Sequence, residues 1–451
     1  MISNKFKIDD AASEMKLLSF IDDLLGVEKF SPDPERLTKW FSHFKEEFNR
    51  LNIPSIIVAG TNGKGEVSLI LERYALENNL YVHLWNSPHI ISVRERFSHN
   101  GNAISAIELL DYFEKSKDLT KKLSYYEFLF FVFCQSSLDK IQANPNQQHI
   151  LIFEVGLGGR LDATNFFDSE LAILTSISRD HTEFLGNRLA DILNEKIQVT
   201  RSNGYLVCGV EQPMLKTKIK SYVGERDISL KDVTDHLREG ETFKNLNFHK
   251  KNQLMAKEAF HIFWKHILKR NDAVKTSFKE TVWGRPLRMT YKGCQFILLG
   301  SHNLDGIRHL AKWTNELNQM ITDSSNDSNT SHHCSHSSSN FYFDEAWLSF
   351  SRQNEDDLRD CLDLIFKSPC LGREVSLTSF NHPRATKWES LMDCAKSLRG
   401  ENNKKVTFEE NFNHLLGKLE KKRDRKVLLA GSYYFLGSFI SSLPTDSYQF
   451  E

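Results

Sequence analysis

The segment from Ile56 to Leu69 constrains the fold of this chain more than any other stretch of it. Its letters are IIVAGTNGKGEVSL: four apolar residues precede a glycine-rich turn, and a helical pattern begins at Lys64. This order of strand, glycine-rich loop and helix is typical of phosphate-binding loops. Glycines let backbone N–H groups surround an anion, the helix N-terminus adds partial positive charge, and the lysine reaches the outer phosphates. The alternative is an ordinary turn between a strand and a helix.

One position in this segment departs from the usual pattern. Such loops carry Ser or Thr after the last glycine to hold Mg²⁺, and here Glu66 stands in that place. Its carboxylate can repel a phosphate, or it can bind Mg²⁺ itself, because Mg²⁺ takes oxygen ligands. It can also turn outward while Ser68 or water completes the metal shell. We expect an intact but weakened site, which the substitution Glu66→Ser would strengthen.

The composition is that of an ordinary globular protein. The chain has 451 residues, enough for two or three domains, with 40% apolar and 26% charged residues. A formal net charge of −1 gives no basic field for nucleic acid or for a membrane surface. No apolar run approaches the roughly 20 residues of a membrane-spanning helix, and the first ten residues do not read as a signal peptide. The seven cysteines are scattered, which favours a reducing compartment. We therefore expect a cytoplasmic protein.

Strand patterns alternate with helical patterns through the first two thirds of the chain. After the glycine-rich segment, strands are expected at 80–85, 150–153, 171–177 and 205–208. Helical patterns lie at 11–50, 104–139 and 252–269, and residues 210–245 show no pattern that we can assign. Strands and helices alternating at this spacing predict a parallel sheet covered on both faces.

Polar residues follow several of these strands at the end where open α/β sheets bind ligands. Ser87 follows the second strand, Glu154 ends an apolar strand before a glycine-rich run, and His181 stands beside Asp180 after the next strand. A carboxylate at the end of a buried strand is costly unless it meets a cation or hydrogen-bond donors. A metal or phosphate role is therefore favoured over a purely structural one for Glu154 and His181.

A second α/β unit is expected from residue 291 onward. Apolar strands recur at 295–299, 347–350, 375–378 and 427–430. We predict an α/β protein with a P-loop ATPase domain at 1–290, built on a mostly parallel sheet, and a smaller Rossmann-like domain at 291–451. The tract 322–340 is almost entirely Ser, Asn, Asp, Thr and His. It is expected to be a disordered insertion, because it cannot bury enough apolar surface to offset the cost of ordering. Stray metal binding by its histidines is the alternative.

Together these motifs resemble the folylpolyglutamate synthase/dihydrofolate synthase family, a branch of the Mur-type ATP-dependent amide ligases. The resemblance covers nearly the whole chain in the right order. It is carried by GTNGKG at 60–65, SPH at 87–89, ER at 95–96, EVGLGGRLDATN at 154–165, DHTEFLG at 180–186, EK at 195–196, GSHN at 300–303, PRA at 383–385 and GS at 431–432.

The resemblance implies that ATP phosphorylates a substrate carboxylate and that the amino group of L-glutamate then attacks the acyl phosphate. It implies catalytic roles for Lys64, His181 and Lys196, with Lys196 matching a lysine that is carbamylated in the family. The implied Mg²⁺ ligands are Ser87, Glu154 and His181. The implied ATP-binding residues are Gly60, Thr61, Asn62, Gly63, Lys64, Gly65, Asn252, Arg285 and His302.

The implied function is an enzyme of folate biosynthesis and one-carbon metabolism with ATP and Mg²⁺ as cofactors. Its substrates would be L-glutamate and dihydropteroate or folate, and we expect a monomer that binds neither nucleic acid nor membrane. Two alternatives stay open. One is a Mur-type ligase for another acid. The other is a degenerate, non-catalytic homologue that binds nucleotide or folate. Two residues would favour it: Glu66, in place of Ser or Thr, and Leu299, in place of the family's usual aspartate.

Overall fold

The computed structural model describes residues 11–26, 31–235, 242–277, 287–326, 341–351, 353–368, 371–398, 406–419, 424–444 and 447–450. The chain divides into two compact units. The first comprises Met1–Ser178 and Phe184–Trp283, and the second comprises Arg179–Glu183 and Gly284–Glu451. Within the described ranges, no helix combines the length and the apolar character that crossing a membrane requires.

The first unit contains an eight-stranded sheet in the order β4-β3-β2-β5-β1-β6-β7-β8. Its strands are β1 Ser55–Ala59, β2 Tyr81–Trp85, β3 Phe97–His99, β4 Asn102–Ala103, β5 His149–Glu154, β6 Leu171–Leu174, β7 Tyr205–Cys208 and β8 Ser229–Asp232. Six neighbouring strands pair in parallel, in the order β2-β5-β1-β6-β7-β8. Strands β3 and β4 are antiparallel additions at one edge. The carboxyl ends of β1, β2, β5 and β6 therefore meet at one edge of the sheet.

Helices cover both faces of this sheet. The α-helices of the chain are α1 Ala11–Phe20, α2 Pro34–Arg50, α3 Lys64–Glu77, α4 Ala106–Lys115, α5 Tyr125–Ala143, α6 Thr182–Leu185, α7 Leu189–Lys196, α8 Pro213–Gly224, α9 Phe248–Ile262, α10 Leu304–Asn326, α11 Glu355–Lys367, α12 Trp388–Leu398, α13 Phe412–Leu419 and α14 Tyr433–Ser441. Ile57 and Ala59 of β1 belong to one buried apolar cluster, and Ile56 and Val58 belong to another. Because alternate strand residues point to opposite faces, β1 is buried on both sides, as in a parallel α/β sheet.

The second unit contains a seven-stranded sheet in the order β13-β12-β11-β14-β10-β9-β15. Its strands are β9 Leu287–Tyr291, β10 Cys294–Gly300, β11 Glu345–Ser349, β12 Glu374–Thr378, β13 Val406–Glu409, β14 Lys426–Gly431 and β15 Tyr448–Phe450. The strands from β13 to β10 pair in parallel, and β9 and β15 form an antiparallel edge. Both sheets are thus mostly parallel, which confirms the predicted α/β class.

The structure adds to the sequence-based expectations in one region and differs from them in another. The region 210–245, which had no assignable pattern, contains α8 and β8. The domain boundary after residue 290 stays a prediction, and β9 is described with the second unit because it pairs with β10. Helix α10 continues to Asn326, into the tract predicted to be disordered from residue 322. Each residue added to an existing helix gains a backbone hydrogen bond, so a polar sequence can prolong a helix. Residues 327–340 lie outside the described part.

Candidate functional site

The glycine-rich loop joins β1 to α3 and is tied to the end of β6. Gly60 and Gly63 have φ values of +142° and +92°. A Cβ atom on Gly60 would lie 1.9 Å from Thr175 Oγ1, so no other residue fits there. Thr175 Oγ1 donates to the Asn62 carbonyl oxygen at 2.7 Å, and the Asn62 N–H donates to Ser176 Oγ at 3.0 Å. The loop is therefore held in shape by the neighbouring strand.

Two lysines of the predicted site meet at this loop. Lys64 Nζ donates to the carbonyl oxygens of Gly60 at 3.1 Å and Thr61 at 3.0 Å. Lys196 Nζ, at the end of α7, donates to the Gly60 carbonyl oxygen at 3.0 Å and is only 4% exposed. Burying an ammonium group is costly unless it is paired or hydrogen-bonded. The loop thus concentrates positive charge where an anionic ligand would bind.

Glu66 faces neither the glycine-rich loop nor the solvent, the two directions considered for it from the sequence. It is 2% exposed, which excludes an outward position. One carboxylate oxygen accepts from Asn252 Nδ2 at 2.6 Å, and the other pairs with His249 Nδ1. Both partners belong to α9, which packs against α3. Hydrogen bonds to a buried carboxylate are among the stronger ones, and they direct Glu66 toward α9.

The ends of β2 and β5 bring Ser87 and Glu154 together. The Ser87 N–H donates to Glu154 Oε2 at 3.0 Å, and both residues are buried. The loop that follows Ser87 is organised by Glu95, which accepts the N–H groups of Ile90 at 2.9 Å and Ser92 at 2.8 Å. The peptide bond between Ser87 and Pro88 is cis. Two of the three predicted metal ligands therefore lie side by side within the first unit.

The glycine-rich run after Glu154 is organised by Asp162. Its carboxylate accepts the N–H groups of Gly156 at 3.0 Å, Leu157 at 3.1 Å and Thr164 at 3.0 Å. Burial raises the pKa of Asp162, and the hydrogen bonds from Thr164, Leu157 and Gly156 oppose that rise. A Cβ on Gly159 would lie 2.6 Å from the Glu195 carbonyl oxygen, which explains the glycine beside the end of α7. This run therefore packs closely against the backbone of Glu195 and Lys196 at the end of α7.

The remaining predicted residues have different settings. His181 has φ +50° and lies in the Arg179–Glu183 segment, which is grouped with the second unit. Its Nε2 is 3.8 Å from Asp180 Oδ1, whereas His302 Nε2 is 3.3 Å from Asp180 Oδ2. In the described part of the chain, no cluster of three or more His, Cys, Asp or Glu side chains is arranged to hold a metal. Arg285 lies outside the described residues.

Sequence reasoning missed His249 as a neighbour of the loop. It lies three residues before Asn252 on α9, so the two side chains share one helix face. That spacing was the available signal. Thr175 was also missed, because a threonine at a strand end carries no motif of its own and its role appears only with the loop in place.

Comparison with known proteins places these features in a family context. No family model matches the chain. A dihydrofolate synthase/folylpolyglutamate synthase of Buchnera aphidicola subsp. Acyrthosiphon pisum is 41% identical over 159 residues, covering 34% of this chain and 36% of that protein. A Bacillus subtilis protein with the same name is 25% identical over 412 residues, which cover 84% of this chain and 88% of that protein. The matches to four relatives with the same name span only 36–43% of their lengths.

Solved structures show the same architecture. A Mycobacterium tuberculosis folylpolyglutamate synthase complexed with ADP has a TM-score of 0.70 and 21% identity, with 97% of this chain and all of that chain (100%) covered. A Yersinia pestis bifunctional folylpolyglutamate synthase/dihydrofolate synthase complexed with AMPPNP and a Mn ion has a TM-score of 0.68 and 21% identity, covering 95% and 97%. The chain therefore shares its α/β fold with these solved structures. The particular resemblance to folylpolyglutamate synthases/dihydrofolate synthases, first seen in the motifs, is confirmed.

Proposed function

We propose that this chain is an ATP-dependent ligase that joins L-glutamate to the carboxylate of dihydropteroate or a folate. It would act as a dihydrofolate synthase, a folylpolyglutamate synthase or both. The observation that carries the proposal is the convergence of Lys64 and Lys196 on the Gly60 carbonyl oxygen of the glycine-rich loop. A scaffold that handled no phosphate would gain nothing from placing a half-buried and a buried cation beside such a loop. The names of the similar proteins and the ADP and AMPPNP complexes of similar structures support the same conclusion.

The loop residues from Gly60 to Gly65 are proposed to hold the phosphates of ATP. In that state Lys64 would exchange its bonds to loop carbonyl oxygens for the outer phosphates. Lys196 is proposed to serve catalysis beside the same loop. Asn252, whose Oδ1 would be 2.6 Å from a Cβ on Gly63, is close enough to contribute to the nucleotide site. Arg285 and His302 are proposed as further ATP-binding residues on the resemblance alone.

The residues at the ends of β2 and β5 fit a divalent cation. Glu154 offers a buried carboxylate and Ser87 a hydroxyl beside it, and Mg²⁺ prefers oxygen ligands. His181 is proposed as the third ligand because of its motif. When bound, Mg²⁺ would neutralise negative charge on the transferring phosphoryl group. Glu66 is not part of this set, because both of its carboxylate oxygens are bonded to side chains of α9.

The reaction balances as two displacements. The γ-phosphoryl group of ATP passes to a carboxylate oxygen of the folate-type acid and gives ADP and an acyl phosphate. The amino nitrogen of glutamate then attacks the acyl carbon, expels inorganic phosphate and loses a proton. The cations at the loop favour the first step, since phosphoryl transfer depends chiefly on positioning and on electrostatic stabilisation. We further propose a monomer in the cytoplasm that uses small-molecule substrates alone. The five cysteines in the described ranges are buried and free, which fits a reducing compartment.

The test is phosphate release by purified protein with each substrate omitted in turn. We expect ATP consumption only when Mg²⁺, L-glutamate and dihydropteroate or a reduced folate are all present, with an amide product of matching amount. No turnover at saturating Mg²⁺ and ATP with either acid would contradict the proposal. Turnover with a different carboxylic acid would leave the ligase chemistry but replace the substrate.

The second candidate is a non-catalytic homologue, and it is favoured by Glu66 and Leu299. The burial of Glu66 against α9 weakens this case, since the carboxylate is bonded to partners in place of facing an incoming phosphate. The same assay separates the two candidates. Nucleotide binding without phosphate release under any substrate combination would favour the non-catalytic protein.

A further inference from the structure

A buried polar cluster lies between α3 and α9, next to Gly63 of the glycine-rich loop. Glu66, the third residue of α3, has 1% of its side chain exposed, and His249 has 8%. Their contact joins Glu66 Oε1 to His249 Nδ1. Gln253 Nε2 lies 2.8 Å from His249 Nε2 on the other side of the ring. Every member of the cluster except Glu66 comes from one face of α9.

The hydrogen bonds define the state of the histidine. An amide nitrogen only donates, so His249 Nε2 accepts from Gln253 and carries no proton. The ring proton is therefore on Nδ1, where it is donated to the Glu66 carboxylate. Glu66 then receives two donors, the imidazole N–H and the amide of Asn252. A buried carboxylate with two good donors is satisfied without a metal ion.

The same bonds determine which end of the Asn252 amide faces the loop. Asn252 is fully buried (0% exposed), and its Nδ2 donates to Glu66 Oε2 at 2.6 Å. Its Oδ1 is consequently turned toward Gly63, where a Cβ would come within 2.6 Å of it. Among the residues that the structure describes, this oxygen has no hydrogen-bond partner. A buried acceptor left open beside the phosphate loop is suited to a donor brought by the ligand.

We propose that Glu66 and His249 form a positioning pair that presents the Asn252 carbonyl oxygen to a hydrogen-bond donor of the bound nucleotide. This inference rests on the proposed function, and it replaces the earlier expectations for Glu66. The residue is neither a metal ligand nor a defect in the loop. Glu66→Ser is therefore expected to weaken nucleotide binding, the opposite of the effect predicted from the sequence.

The test is calorimetric titration of five proteins with two ligands: AMPPNP with Mg²⁺, and ADP with EDTA. The proteins are the wild type, Glu66→Gln, Glu66→Ser, His249→Leu and the double variant Glu66→Ser/His249→Leu. Glu66→Gln keeps the size of the side chain but carries only one accepting oxygen, so it cannot satisfy His249 and Asn252 together. We expect each single variant to bind both ligands about two- to tenfold more weakly, the loss typical of one neutral hydrogen bond to the ligand.

The double variant distinguishes a pair from two separate contributions. We expect it to bind no more weakly than Glu66→Ser, because His249 has nothing to hold once the carboxylate is gone. A sixth protein, the exposed variant Lys257→Ala on α9, serves as the matched control and should bind like the wild type. Thermal unfolding of each variant shows that it is folded at the titration temperature.

Three results would overturn the inference while leaving the proposed function in place. A loss seen only with Mg²⁺ would make Glu66 a metal ligand. Additive losses in the double variant would mean that the residues act independently. Unchanged binding by Glu66→Gln would mean that the orientation of the Asn252 amide does not matter. Failure of the wild type to bind either ligand would instead contradict the proposed function, and this inference with it.

Discussion

Two buried clusters in the first unit both contain histidine, and they solve the problem of burial differently. The loop cluster, Glu66 with His249 and Asn252, contains a carboxylate and lies beside the glycine-rich loop. The histidine chain, made of His99, His83 and His149, crosses the neighbouring strands β3, β2 and β5 and contains no carboxylate. Comparing them shows which kind of buried histidine belongs to a binding site and which belongs to the core.

The histidine chain is a closed, directional series of hydrogen bonds. The Asn144 carbonyl oxygen only accepts, so His149 Nε2 donates to it at 2.8 Å. His149 Nδ1 then accepts from His83 Nε2 at 3.1 Å, and His83 Nδ1 accepts from His99 Nδ1 at 2.9 Å. The hydroxyl of Ser136 lies 3.1 Å from His99 Nε2 and 3.0 Å from the Phe133 carbonyl oxygen, so its single proton serves two acceptors. In this arrangement the three rings are neutral, and the chain requires no counter-ion.

The difference between the clusters lies in what each leaves open. The histidine chain ends in backbone and hydroxyl partners, whereas the loop cluster leaves the Asn252 Oδ1 without a partner among the described residues. A fully satisfied polar network makes a core specific without binding anything. A network with an open acceptor beside an anion-binding loop is suited to a ligand.

The largest expected effect is acid destabilisation through the histidine chain. Burial lowers the pKa of all three histidines. The pKa of His83 falls well below its usual value, that of His99 falls to about 3, and that of His149 is also lowered. Nearby Lys140 lowers the pKa of His83 and His99 further, and Tyr81 packs on the rings of His83 and His149. The unfolded chain, with histidine pKa about 6.5, binds more protons in acid than the folded one. The free energy of unfolding is therefore unaffected above about pH 6.5 and falls below it.

The slope should reach about 1.4 kcal/mol per pH unit for each buried histidine. Urea unfolding of the whole chain between pH 7 and pH 5 measures it, and His99→Gln should flatten it. The exposed His414→Ala is the control that should leave the slope unchanged. A stability that stays constant across this range would mean that the histidine chain is protonated in the folded state. That result would contradict the difference drawn here between the two clusters.

A smaller effect is expected at the end of the histidine chain. Ser136→Ala removes the hydroxyl that bonds His99 Nε2 and leaves a buried acceptor unsatisfied, which costs about 1–3 kcal/mol. Ser137 is the matched control, because it is equally buried and its Oγ has no hydrogen-bond partner within the described ranges. Equal stability losses for the two alanine variants, measured by urea unfolding at pH 7, would show that the direction assigned to the chain is wrong.

The sequence predicted those features that depend on local order along the chain. The strand, glycines and lysine from Ile56 to Lys64 stand next to one another, so their structure follows from position alone. Glu154 and Ser87 follow parallel strands that turn out to be adjacent, which places them together. In the second unit β10, β11, β12 and β14 were also predicted, because each is a short apolar run, whereas the parallel edge strand β13 was missed.

The unpredicted features depend on contacts between distant segments. Glu66 and His249 are separated by 183 positions, and the helical spacing of His249 and Asn252 does not show that Glu66 is their partner. The orientation of Glu66 was therefore beyond sequence reasoning, although its unusual position in the motif was visible. The same holds for the edge strands β9 and β15, whose pairing depends on the sheet and not on their own pattern. Polarity alone also assigned residues 322–326 to the tract predicted to be disordered, although they continue α10.

The most direct test of the account is a calorimetric titration of the wild type and of Lys64→Ala with AMPPNP in Mg²⁺. We predict one binding event in the wild type and a loss of at least about tenfold in the variant, since a charged contact to the phosphates is removed. Circular dichroism should show that the variant keeps its fold, because among the described residues the Lys64 side chain bonds only to two carbonyl oxygens of the loop. Equal binding by both proteins, or none by the wild type, would contradict the assignment of the glycine-rich loop as a nucleotide site.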